Sequence, residues 1–372
     1  MSLNKNILIL KFSNITNQPR IYRQIEFLRD HYNIYTASFK GLNNPHIKKH
    51  FNIKIPLLPT GLIDKFLWNI APVSQFLINY FKLNTIHFDL IVAHDPFTLQ
   101  TALQLSKMMG SKVLHDAHEY TPRQYEDIWF QRLILLKIWG RICRKFMPHA
   151  DATITVCQGI ADEYERNYGV HCEVINNAPF FNKLLPSTID GKIIRMVHHG
   201  VAHPSRRTED MIHLMNILDE RFHLDFMLIN DGSQYYKKIL SMGQQNPRIS
   251  FRDPVPMPDI PETINGYDIG LFLLSPETFS YRMALPNKLF EFIQGRLAVA
   301  IWPSPEMAKV VNEYNCGIIS EDFTVESMAR KLNALSTDDI VKYKMNSHRA
   351  AGYLCAEKNK DMLLNIVEKL LR

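Results

Sequence analysis

Residues 284–295 read Ala284-Leu285-Pro286-Asn287-Lys288-Leu289-Phe290-Glu291-Phe292-Ile293-Gln294-Gly295. Pro286 suits the first turn of a helix, because its fixed φ is already helical and its missing N–H would have had no intrahelical partner there. Leu289, Phe290 and Ile293 recur at three- and four-residue spacing and predict a buried face, and Gly295 is a natural stop. The helix so predicted is roughly two and a half turns long. Lys288 falls in its first turn, where unpaired N–H groups and the helix dipole favour an anion such as phosphate. Glu291, three residues on, shares a face with Lys288 about 4.5 Å further along the axis. That reach suits a diphosphate followed by a ribose, whose two hydroxyls a carboxylate can accept from. The same spacing also describes an ordinary amphipathic helix with a Lys/Glu surface pair, and the stretch by itself leaves both readings open.

Strand-like runs flank it, Tyr267-Asp268-Ile269-Gly270-Leu271 before and Leu297-Ala298-Val299-Ala300-Ile301 after. Taken with them, the stretch resembles the donor-site signature of the group 1 retaining glycosyltransferases. The resemblance implies an α/β chain of GT-B architecture, with two Rossmann-like domains of parallel strands facing a central cleft. It implies that Lys288 and the helix N–H groups hold a donor diphosphate, that Glu291 holds the ribose, and that Pro286 and Asn287 belong to the substrate-binding turn.

Length and composition agree with such a chain. At 372 residues with 46% hydrophobic and 22% charged residues, it is too long for one typical core and fits two α/β domains. A net charge of +6 falls short of the clustered Lys/Arg of a nucleic-acid binder, so no nucleic-acid partner is expected. Anionic small molecules or a lipid surface account for it. Five cysteines, Cys143, Cys157, Cys172, Cys316 and Cys355, form no C-x-x-C pair and no metal-ligand spacing, which points to a reducing cytoplasm. The apolar run Asn6-Ile7-Leu8-Ile9-Leu10-Lys11 has no cleavage site after it and reads as a first Rossmann strand rather than a signal peptide. With no run of about 20 apolar residues, a spanning helix is not expected.

After that strand, the loop Ser13 to Pro19 leads into a helix with Ile21, Ile25 and Leu28 on one face. The loop lacks Gly-x-Gly-x-x-Gly, which argues against a dinucleotide site. In the family this loop faces the acceptor, and Arg20 is placed to touch it; a solvent-facing arginine is the alternative. Residues 57–83 are rich in aromatics (Phe66, Trp68, Phe76, Tyr80, Phe81) and predict either core packing or contact with a membrane or lipid-linked acceptor. Strands follow at Asp89–His94 and Lys112–Leu114, and both leave loops at their carboxyl ends, where open α/β sheets place ligands. The second loop carries His115-Asp116-Ala117-His118-Glu119. No His, Asp or Glu pair in it has helical ligand spacing, and no metal is expected. The pattern Asp116, His118, Glu119 resembles the family motif whose histidine contacts the donor sugar, so His118 is the candidate to stabilise an oxocarbenium-like state. From Trp129 to Met147, Arg132, Lys137, Arg141, Arg144 and Lys145 alternate with Leu133, Leu136, Ile138, Ile142 and Phe146, as in a helix lying on an anionic leaflet or one packed with a solvated basic face.

The βα rhythm restarts at Ile193–Gly200. There the family carries a glycine-rich turn with two basic residues on the diphosphate: Gly200 and Arg206 match, whereas Val201 stands at the first basic position. Phe251 marks the strand end assigned to the base. The family carries two glutamates separated by seven residues; Glu291 matches the second, and the first falls on Met283 here. The implied organisation is an acceptor domain over residues 1–178, a linker over 179–191, a donor domain over 192–356, and a last helix over 357–372 returning to the first domain. The implied activity is metal- and cofactor-independent hexosyl transfer from a nucleotide diphosphate sugar to a saccharide or lipid-linked saccharide, in cell-envelope polysaccharide or glycolipid synthesis, at the cytoplasmic side with peripheral membrane contact. The missing Met283 and Val201 charges keep a silent nucleotide-sugar-binding subunit as an alternative, and a non-hydrolysing sugar-nucleotide epimerase shares the architecture.

Overall fold

A computed structural model of the chain describes residues 5–53, 77–81, 86–124 and 129–372, with side chains described throughout these except at 129–135. Most of the aromatic stretch at 57–83 lies outside the described residues. Of its members, Leu77 and Phe81 are core residues, and Phe81 sets its edge against Phe51 and Phe88. The chain divides into two units, residues 1–176 with 359–372, and residues 177–358.

The first unit runs β1 (Asn6–Leu10), α1 (Pro19–Leu28), β2 (Asn33–Ser38), β3 (Ile47–Asn52), β4 (Leu90–His94), α2 (Pro96–Met109), β5 (Lys112–Asp116), α3 (Trp129–Phe146), β6 (Ala152–Thr155), α4 (Gln158–Tyr168) and β7 (Glu173–Val174). Its strands are parallel in the order β3-β2-β1-β4-β5-β6-β7. Ile7 to Leu10 are fully buried, because helices cover both faces of a parallel sheet and demand apolar side chains on each.

The second unit runs β8 (Ile194–Val201), α5 (Glu209–Ile217), β9 (Phe222–Ile229), α6 (Gln234–Gly243), β10 (Ile249–Phe251), α7 (Ile260–Ile264), β11 (Ile269–Phe272), α8 (Phe279–Arg282), α9 (Asn287–Gln294), β12 (Ala298–Ile301), α10 (Pro305–Tyr314), β13 (Gly317–Ile319), α11 (Val325–Asn333), α12 (Thr337–Ala351) and the start of α13 (Ala356–Leu371). Its strands are again parallel, in the order β10-β9-β8-β11-β12-β13. One apolar cluster joins α5 and α11 to one face of this sheet, and another joins α9, α10 and α12 to the opposite face.

Helix α9 begins at Asn287, with Pro286 in extended conformation as its cap, one residue later than Pro286 alone suggested. It is buried on every side, since Phe292 points away from Leu289, Phe290 and Ile293 and is equally enclosed. The segment after Asn177 is pinned to this unit by two polar side chains at the end of α9. Arg296, fully buried, donates to the carbonyls of Asn182 and Leu184 as well as Ile293 and Gln294. Gln294 accepts from Asn182 N–H and donates to the carbonyls of Ala351 and Leu354. From Asn359, α13 clusters with the first unit, where Asn359 donates to the Asn176 carbonyl and Leu363, Ile366 and Val367 are buried. No helix among the described residues is long and apolar enough to cross a membrane.

Gly317 shows how tightly the β12–β13 pair closes: a Cβ there would sit 2.0 Å from the Val299 carbonyl oxygen. Neither backbone can yield without breaking the ladder. Gly317→Ala is expected to destabilise the chain by about 3 kcal/mol, read as a lower denaturation midpoint; an unchanged midpoint contradicts the packing described.

Candidate active site

In the second unit the site grows from the carboxyl end of β8. Gly200 has φ +113°, a conformation side chains rarely adopt, and Lys288 Nζ lies 3.3 Å from where its Cβ would stand. The glycine therefore leaves bare backbone facing the amine. The turn Pro204–Arg206 then carries Arg206 toward α5.

Lys288 was expected to be exposed; it is buried, at 6%. The reason is that α9 packs against α7, α12, β11 and β12 and has no solvent face of its own. Its ammonium lies 3.3 Å from His198 Nε2 and 4.4 Å from the centre of the Phe272 ring. No carboxylate among the described residues is within ion-pair distance of it. Glu291, also buried, instead faces His199 Nε2 at 3.5 Å. Arg206 likewise lacks a carboxylate among the described residues and rests one N–H on the Val201 carbonyl, whereas its neighbour Arg207 is paired with Asp210 and Glu277. Burial, and then the charge of Arg206, push Lys288 well below the ordinary amine range, with Glu291 opposing them. Burial, and then Lys288, hold His198 and His199 well below the imidazole range, so both are neutral. Two cations beside a bare glycine, opposed by a single carboxylate, match a multiply charged anion. Pro286 and Asn287, half-buried, form the start of α9 next to Lys288.

Phe251 closes β10, the strand end expected to meet the base. Its ring stacks on Phe226 at 5.5 Å and fills the space above Gly243, so the side chain is a packing group. Arg252 is committed to Asp225, and its N–H to the Phe226 carbonyl.

In the first unit the carboxyl ends of β4 and β5 hold a buried ionic network. Arg20 corrects the solvent-facing reading, since it is buried. Its Nε donates to both oxygens of Asp116 at 2.9 and 2.7 Å, and another N–H reaches the Ile175 carbonyl. A carboxylate taken fully out of water needs such a partner, and Arg20, 8% exposed, supplies it. Gln24 adds a bond to Asp116 and accepts from His94 Nε2. His118, half-buried, sets Nδ1 3.3 Å from Asp95, whose other oxygen is 3.3 Å from Lys11. Asp95 has φ 66° and ψ 151°, a strained conformation for a non-glycine residue; its carboxylate leaves the start of α2 uncapped and turns to Lys11 and His118.

His94, Asp116 and His118 offer ligand atoms within 4.8 Å of one another, a grouping that residue spacing did not reveal. Both Asp116 oxygens are already taken by Arg20 and Gln24, and a guanidinium stands where a metal ion would need negative charge, so this donor set does not suit a divalent cation. Sequence reasoning also missed Lys11, Gln24, Asp95, His198 and His199. His94-Asp95 at the carboxyl end of an apolar strand was the available signal for Asp95.

Residues 25–178 match the model of Glycosyltransferase Family 4. No curated protein sequence matches the chain. Among solved structures, HepE of Anabaena in complex with UDP superposes with a TM-score of 0.75 at 13% identity, covering 98% of this chain and 100% of that one. The same protein with UDP-glucose gives 0.72 at 14%, covering 98% and 99%. Sucrose-phosphate synthase from Thermosynechococcus elongatus gives 0.77 at 13%, covering 99% of each chain. WaaG, a glycosyltransferase involved in lipopolysaccharide biosynthesis, gives 0.67 at 12%, covering 96% and 99%. The chain has the GT-B fold. In this fold each Rossmann-like unit presents the carboxyl ends of its strands as ligand-binding edges, and each group of residues described above lies on such an edge of its own unit.

The buried histidines give the GT-B chain a defined acid response. Burial holds His94 down to about 3 and His115 to about 4, and His198 and His199 are lowered as well. Unfolding returns all four to an ordinary value near about 6.5. Below that pH the unfolded chain binds more protons than the folded one, so stability falls as pH drops. Asp116, held low chiefly by Arg20 against burial, withdraws its contribution only below the ordinary carboxylate range. The melting temperature is expected to fall steadily from pH 7 to pH 5; a flat profile there contradicts the neutral, buried state of these rings.

Proposed function

We propose that the chain is a retaining glycosyltransferase that takes a sugar from a UDP-sugar and passes it to a hydroxyl of a saccharide or lipid-linked saccharide. The observation that carries this reading is Lys288: a buried amine with no carboxylate among the described residues within ion-pair distance, set against the bare backbone of Gly200 with Arg206 nearby. UDP and UDP-glucose bound to HepE support a uridine nucleotide as donor. WaaG's part in lipopolysaccharide biosynthesis supports a cell-envelope product. The exposed Lys137, Arg141, Arg144 and Lys145 of α3 support peripheral contact with an anionic leaflet at the cytoplasmic face.

In this mechanism the departing diphosphate is stabilised by Lys288, Arg206 and the first N–H groups of α9, in surroundings dry enough to make each contact strong. Glu291 accepts from the ribose hydroxyls. The family motif gives His118 the contact with the donor sugar, with Asp95 holding its Nδ1 side. The leaving phosphate takes the acceptor's proton on the same face, so the chain supplies no nucleophile, and retention follows. The two cationic side chains carry the charge that a metal ion would otherwise neutralise.

Met283 and Val201, uncharged where the family carries a glutamate and a basic residue, favour a second reading: a subunit that binds UDP-sugar without turning it over. Calorimetry with UDP together with a transfer assay over a panel of acceptors separates the two. Binding with transfer is expected; binding without transfer supports the silent subunit, and no binding ends both. Lys288→Met keeps the aliphatic stem and removes a buried, uncompensated charge. It is expected to melt no lower than the parent chain while losing about 100-fold or more in kcat. Unchanged kcat would remove Lys288 from the mechanism.

A further inference from the structure

Two histidines stand side by side at the end of β8, and the donor site as described so far uses neither. His198 is buried between the rings of Phe226 and Phe272, 5.9 and 5.8 Å away. Its two nitrogens have opposite roles, and the partners dictate which. Nδ1 lies 2.9 Å from the Leu271 carbonyl oxygen, which can only accept, so Nδ1 carries the proton. Nε2 lies 3.3 Å from Lys288 Nζ, which can only donate while it is an ammonium, so Nε2 presents its lone pair. The β11 backbone thus sets the tautomer, and the tautomer sets where the amine sits.

We infer that His198 is a positioning residue: its neutral imidazole accepts a hydrogen bond from Lys288 Nζ and holds the ammonium against the Gly200 backbone, where the donor diphosphate is taken up. The inference rests on the proposed donor site, and it explains why no carboxylate among the described residues lies within ion-pair distance of the amine. A carboxylate at Nε2 would hold the amine as well but would cancel its charge. A neutral acceptor below and the Phe272 ring beside it, 4.4 Å from Nζ, fix the amine and leave the charge for the ligand. The other groups acting on Lys288 are Arg206, which opposes its charge, and Glu291, which favours it. His199, the next residue, contacts Glu291 rather than Lys288. The sheet therefore braces the two side chains of α9 separately.

The test uses two replacements that each keep one half of the ring. Gln at 198 offers an acceptor near the Nε2 position; Asn offers a donor near the Nδ1 position and nothing to Lys288. With parent, His198→Gln and His198→Asn chains shown to melt cooperatively, two quantities are measured: affinity for UDP and for inorganic pyrophosphate by calorimetry, and the titration midpoint of Lys288 from its Cε signal by NMR. His198→Asn is expected to bind both ligands roughly tenfold or more weakly and to titrate at lower pH, whereas His198→Gln stays close to the parent in both. Equal loss in both variants, or no loss in either, overturns the inference. Should the parent chain bind neither ligand, the donor reading falls, and the titration decides alone: a midpoint lowered by Asn and kept by Gln upholds the brace, and one midpoint shared by all three chains rejects it.

Discussion

One lysine amine lies beneath the protein surface with no carboxylate among the described residues within ion-pair distance of it. Lys288 is 6% exposed and rests on a neutral imidazole and an aromatic face, and the nearest bare backbone is a glycine in a conformation that excludes side chains. Burying charge is costly unless something compensates it, and under the proposed function the donor diphosphate supplies that compensation. Helix α9 is enclosed around the amine, Gly200 near the end of β8 leaves bare backbone facing it, and β11 offers the Leu271 carbonyl to His198 Nδ1.

The other unit treats charge in the opposite way. Asp116 is fully buried and fully satisfied, with Arg20 and Gln24 on its oxygens and His94 joined to the network through Gln24. That network makes no demand on a ligand. Its role is to make a rigid floor under the β4 and β5 loops, from which His118 stands half-exposed with Asp95 against Nδ1. One unit thus buries a lysine away from any described carboxylate, and the other holds its buried charge in a closed network beside one half-exposed ring.

Much of the architecture was legible because parallel strands covered on both faces appear as unbroken apolar runs, such as Ile7 to Leu10 and Ala298 to Ile301. Helix α12 escaped notice because its buried face is made of Ile340, Lys344, Ser347, Ala350 and Ala351, a set with little hydrophobic contrast. Lys344 is held there by Ser187, the Tyr267 carbonyl and Asp268, partners far away along the chain. The same non-locality hid the work of Arg20, which meets Asp116 across 96 positions. Lys288 and Glu291 were legible as a pair but not as a buried pair, because a spacing of three describes a solvent-facing ion pair equally well; Phe292, apolar on the opposite side of the helix, was the residue that told the two apart. The histidines of β8 read as strand residues, and only the positions of α9 and β11 give them partners.

The most direct measurement is a crystal structure of the chain soaked with UDP. The account predicts the diphosphate against the Gly200 backbone, within hydrogen-bonding distance of Lys288 Nζ and Arg206, with the ribose hydroxyls on Glu291. Diphosphate density elsewhere on the chain, with Lys288 still resting on His198 and touching no phosphate, would contradict it.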